Sequence, residues 1–99
     1  MAKGYWMFQV TINDTDTYKK YIDRFDVEAF ARYGARFLAR GGQFQAVEGV
    51  ARQRHVIIEF ESYEKALECY HSSEYQAASV LRRAAALTDL VIVEGAPAA

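Results

Sequence analysis

The chain has 99 residues, the size of one domain, and is 52% hydrophobic and 14% aromatic, too apolar for a disordered segment. Its 12 basic and 13 acidic side chains leave a net charge of −1, which argues against a general nucleic-acid binder and against docking on anionic membranes. A single cysteine, Cys69, excludes an intrachain disulfide, and no run approaches the ~20 apolar residues of a membrane helix.

The opening MAKGYWMFQV turns polar too soon for a secretory signal, so the expected compartment is the cytoplasm. Residues 5–12, YWMFQVTI, read as a strand, with Trp6, Phe8, Val10 and Ile12 on one face and Tyr5, Met7, Gln9 and Thr11 on the other. Asp14 suits a helix N-cap, and Tyr18, Tyr21, Ile22, Phe25, Ala29 and Tyr33 recur at helical spacing up to Gly34, a left-handed stop. Phe37–Arg40 and Gln43–Val47 each fit a strand. Residues 49–53 read as a hairpin connection and 54–60, RHVIIEF, as the return strand. Ser62 can cap a helix bearing Tyr63, Ala66, Leu67 and Tyr70. After an interruption at 71–73, Ser73 with Gln76 forms a capping box for a helix carrying Ala77, Val80, Leu81 and Ala84. Residues 90–94, LVIVE, form a last strand.

Gly41 and Gly42 interrupt a strand pattern directly after Arg40. A phosphate loop would need a following helix, a lysine and a hydroxyl residue, and RNA-binding RGG segments are repeated; neither description fits. A bulge or bend remains, with positive φ at one of the two glycines, re-aiming Arg40. The arginines at 36, 40, 52 and 54 and the acids at 59–74 otherwise read as solvated charge.

Strand, helix, strand, strand, helix, strand is the order of a ferredoxin-like βαββαβ sandwich. It is an α+β fold with an antiparallel four-stranded sheet and helices on one face. One such domain is expected over 1–95, with 96–99 as a C-terminal tail. The other sheet face carries Tyr5, Met7 and Ile57, and a second copy of the chain packed there would bury them.

The segments GYW, RFLARGG, VIIEF with SYEKALECY, SSEYQAA and DLVIVEG resemble the uncharacterised family known as domain of unknown function thirteen-thirty along nearly the whole length. One departure is Ser73, where proline is expected. The resemblance implies membership of the dimeric α+β barrel superfamily, which also holds small monooxygenases and isomerases. It implies no catalytic residue.

The open face combines Tyr5, Met7, Gln9, His55, Ile57 and Glu59, with Arg40 at its edge: apolar walls with a few polar groups, the make-up of a small-molecule cleft. His55 and Glu59 are the acid–base candidates, although four residues of strand hold them ~13 Å apart. Arg40, Tyr5 and His55 are the expected ligand contacts, favouring a small anionic or aromatic molecule. The alternative is that Arg40 pairs with Glu59 or Glu94. Cys69, His71 and Glu68 do not have metal-ligand spacing, and flavin and nicotinamide fingerprints are missing, so no metal or cofactor is expected. Three functions stay open: a cofactor-independent oxygenase or isomerase of a small aromatic or acidic metabolite, a non-catalytic ligand-binding or stress-associated dimer, and a purely structural dimer.

Overall fold

A computed structural model describes residues 2–97, so the expected tail at 96–99 lies partly outside the described residues. The alternation of the first strand is realised as β1 (Gly4–Ile12). Its Trp6, Phe8 and Val10 are buried, whereas Met7 between them is 47% exposed. α1 (Thr15–Arg24) begins where the Asp14 carboxylate accepts the Thr17 amide at 3.1 Å.

The single helix expected up to Gly34 is in fact two. The helix breaks at Phe25, and Asp26 caps a second, α2 (Val27–Ala31), by accepting the Ala29 amide at 2.9 Å. The break leaves Phe25 and Ala29 both buried, so the apolar spacing runs through it unchanged and only the second capping residue marks it. Gly34 ends the segment with φ +73°.

β2 (Arg36–Arg40) pairs with β3 (Arg54–Phe60), and the full sheet runs β2-β3-β1-β4 with every neighbouring pair antiparallel. Gly41 has φ +66° and donates its amide to the His55 carbonyl at 2.8 Å. That is the strand's end rather than a kink within it: Gln43–Val47, expected to continue the strand, form none. β2 is an edge strand whose only neighbour starts at Arg54, so residues beyond Gly41 have nothing to pair with. The register irregularity falls earlier, between Phe37 and Ala39, leaving Leu38 as the extra residue. Gly41→Val should cost ~1–3 kcal/mol, because a β-branched residue tolerates positive φ poorly and its Cβ would collide with the Arg54 guanidinium. Urea unfolding checks this, and an unchanged midpoint would show that the turn does not need glycine.

α3 (Tyr63–His71) is capped by Ser62, whose Oγ accepts the Lys65 amide at 3.1 Å. α4 (Ser73–Ala85) is capped by Ser72 rather than Ser73: the Ser72 Oγ accepts the Tyr75 amide at 3.2 Å. Gln76 closes no box with Ser73, and its amide donates to the Tyr70 carbonyl at 2.6 Å. The inward face is Tyr75, Ala78, Ser79, Arg82 and Ala85; of the stripe expected there, Val80 is 60% exposed and only Leu81 is half-buried. Tyr75 decides the rotation, since its ring lies 4.8 Å from that of Trp6. β4 (Ala86–Glu94) starts four residues before the expected strand, because Ala86–Asp89 pair with Ile12–Gln9.

All helices therefore contribute to one side of the sheet, where Trp6 is surrounded by Phe30, Phe60, Tyr70 and Tyr75. Cys69 is fully buried there, and burial pushes its thiol up to about 12. Burial also raises Tyr18, Tyr21 and Tyr75. Each of these groups holds its proton to higher pH when folded than when unfolded. Their contribution is complete below the ordinary thiol value near 9 and is lost as pH rises towards 12. Stability should accordingly fall from about pH 9 upwards; a urea midpoint constant between pH 8 and 11 would contradict this.

Candidate functional site

Apart from the Thr11–Leu87 pair at one end, the face of the sheet away from the helices consists of three cross-strand rows. The middle row, Val91–Met7–Ile57–Ala39, is wholly apolar. On one side lies Val93–Tyr5–Glu59–Arg36, in which the Tyr5 hydroxyl donates to Glu59 at 3.1 Å and Arg36 pairs with the same carboxylate at 3.1 Å. The Glu59 hydrogen bond, followed by burial, raises the Tyr5 phenol above its ordinary value. On the other side lies Asp89–Gln9–His55. Here Arg52, in the loop between β2 and β3, pairs with Asp89 at 2.7 Å and donates its backbone amide to the Gln9 side chain at 2.9 Å.

Tyr5 and His55 share this face, as their strand positions predict, but lie two rows apart. His55 packs against Phe44 with the rings tilted and their centroids 4.3 Å apart, and its Nε2 meets the Arg52 carbonyl at 3.1 Å. A carbonyl only accepts, so that nitrogen carries the hydrogen. His55 and Glu59 remain four residues apart on β3 and engage different partners.

Arg40 is not brought to this face. The extra residue at Leu38 reverses the alternation of β2: Arg36 opposes Glu59, but Arg40 opposes Val56, whose side chain is buried beneath the helices. There its guanidinium sits 5.1 Å from the Phe37 ring and pairs with neither Glu59, which Arg36 engages, nor Glu94. The expected grouping of Arg40 with Tyr5 and His55 is thus split by a bulge whose position the alternation pattern does not show.

On the helix side Arg40 joins Arg54, Asp26, Tyr18, Phe25 and Phe30 around a slot of about 40 Å³, the volume of a small polar group. Among the described residues the buried Arg54 Nε has no hydrogen-bond partner. A second, larger recess of about 630 Å³ lies between α4, the end of α3 and β4, lined by Arg82, Arg83, Thr88 and Leu90. Arg82 is only 5% exposed, and its Nε donates to the Tyr75 hydroxyl at 3.3 Å, which in turn meets the Tyr21 hydroxyl at 2.9 Å. Among the described residues neither Arg54 nor Arg82 has a carboxylate within ion-pairing distance. Sequence reasoning read Arg54 as solvated charge and did not single out Arg82. The available signal was the spacing of Tyr75, Ala78, Ser79, Arg82 and Ala85, which reads as an inward stripe once arginine is admitted to it. Among the described residues no group of three or more His, Cys, Asp or Glu could hold a metal, and no helix is long and apolar enough to cross a membrane.

Residues 3–96 match the family described as a domain of unknown function (DUF1330). The chain belongs to this family. No curated protein matches this DUF1330 chain. Among solved structures it is similar to a protein of unknown function from Rhodopseudomonas palustris, RPA0582, at 17% identity and a TM-score of 0.73, covering 98% of this chain and 85% of that one. The methylated form of RPA0582 gives 18% identity and a TM-score of 0.72, with 97% and 82% covered. At this identity the likeness establishes a shared fold for the DUF1330 chain.

Proposed function

We propose that the chain is a homodimer of ferredoxin-like subunits, a dimeric α+β barrel, that binds a small anionic molecule with an apolar body between its sheet and its helices. The observation that carries the ligand is Arg82, a buried cation under the helix layer with no carboxylate within ion-pairing distance among the described residues; the half-buried Arg54, which shares its slot with Asp26, makes no ion pair either. Buried charge is normally paired, and an anionic ligand supplies the missing partner. The dimer is supported by the open face, where an apolar row is flanked by two polar ones, the arrangement of an interface core and rim. Strands spaced ~4.8 Å and rising ~3.3 Å per residue give that face on the order of 500 Å² in plan. Side-chain relief brings it towards the ~800 Å² per partner of a standard interface. Both flanking rows are internally charge-paired, so a second copy meets no uncompensated charge there. One buried thiol and no disulfide suit the cytoplasm.

Thermal unfolding in the presence of benzoate, hexanoate and their neutral alcohols tests the ligand. The carboxylates should raise the transition temperature by mass action and the alcohols should not. If no carboxylate shifts it, the reading fails. A cofactor-independent oxygenase or isomerase is the second reading. It is favoured by the phenol–carboxylate contact of Tyr5 with Glu59, which the dimer would enclose. It requires turnover of a bound carboxylate that Glu59→Gln abolishes; turnover unaffected by that change would exclude Glu59 as its base.

A further inference from the structure

The recess between α4 and β4 has a division of labour that the slot near Arg40 lacks. Its floor is aliphatic, formed by Ala86, Leu90 and Ile92. Its polar groups are Arg82, Arg83 and Thr88, with Tyr70 and His71 at the end of α3. Arg82 spends its Nε on Tyr75 and lays its guanidinium 5.9 Å from the Tyr21 ring centroid. Arg83, exposed beside it, donates to the Gln76 side chain at 3.3 Å. Among the described residues the buried Thr88 Oγ1 has no hydrogen-bond partner. A buried cation lacking a counter-ion and a buried hydroxyl lacking a partner are each costly, and both occur at one recess. A single carboxylate answers both: its oxygens accept from guanidinium and from hydroxyl, and a fork of two arginines suits it. The volume of about 630 Å³ leaves room for a ligand body over the aliphatic floor.

We propose that this recess binds a small monocarboxylate with an apolar body, its carboxylate held by Arg82, Arg83 and the Thr88 hydroxyl. The assignment rests on the anion-binding reading above and gives it a location and a ligand class. Calorimetric titration of the full chain with hexanoate, using 1-hexanol as the neutral control, tests it. Hexanoate should bind at least about tenfold more tightly than hexanol, and Arg83→Gln should weaken it by about tenfold. Thr88→Val provides the sharper arm. It removes an unpartnered hydroxyl at nearly constant volume, so it should raise the unfolding temperature of the ligand-free protein while weakening hexanoate by about three- to tenfold. A purely structural role for Thr88 would not move the two readouts in opposite directions. Arg82 is left intact because its packing on Tyr21 and Tyr75 would confound the result. If hexanoate binds equally well to wild type, Arg83→Gln and Thr88→Val but is lost in Arg40→Gln, the carboxylate sits in the slot beneath α1 and α2. That result overturns this inference and leaves the anion-binding reading standing. No carboxylate binding by the wild type overturns both.

Discussion

Trp6→Ala is expected to lower the free energy of unfolding by ~3–5 kcal/mol, a large part of the ~5–15 kcal/mol that holds a small domain together. Trp6 is fully buried at the centre of β1, and its ring centroid lies within 6.5 Å of those of Phe8, Phe30, Phe60, Tyr70 and Tyr75. These rings come from the sheet and from α2, α3 and α4, so one truncation opens a cavity against most of the helix layer. The indole also donates to the Ala66 carbonyl at 2.9 Å, pinning α3 to the sheet. Trp6→Phe, which keeps a ring and loses only the N–H and some volume, should cost clearly less. Urea unfolding followed by circular dichroism measures both. Equal costs for the two substitutions would mean that the aromatic cluster contributes little and that this account of the core is wrong.

The second large effect concerns association. Met7→Asp and Val91→Asp, singly or together, should convert the proposed dimer to monomer while the far-ultraviolet spectrum stays that of the wild type. The two residues are direct partners in the apolar row of the open face and are 47% and 60% exposed in the single chain, so neither substitution disturbs the core. In a two-fold dimer each change appears twice, and every carboxylate buried without a partner costs several kcal/mol. The control is Val80→Asp on α4, equally 60% exposed but on the helix side of the molecule. It should leave the sedimentation coefficient unchanged. A wild type that sediments as a monomer at micromolar concentration would end the dimer proposal. A dimer split by Val80→Asp and untouched by Met7→Asp would move the interface to the helices.

The sequence by itself determined the element types and the sheet faces wherever a short-range rule applied. The alternation in YWMFQVTI and RHVIIEF set which side chains of β1 and β3 point inward, because successive residues of a strand face opposite ways. Asp14 and Ser62 were readable as caps, and Gly34 as a stop, since each acts on backbone groups a few residues away. The resemblance to the family was likewise carried by contiguous segments and holds over residues 3–96. Tertiary structure alone decided the rest. The extra residue at Leu38 exists only as a mismatch with β3, and it turns Arg40 away from Tyr5 and His55. The edge position of β2 denies Gln43–Val47 a partner, whatever their strand propensity. Two apolar stripes competed on α4, and the fit of Tyr75 against Trp6 chose the one that carries Arg82 into the interior. The place of Arg82 in the candidate recess follows from that choice. Pattern counting assigns charged residues to solvent. Only the assembled layers reveal that Arg82 has tyrosines where a carboxylate would normally stand.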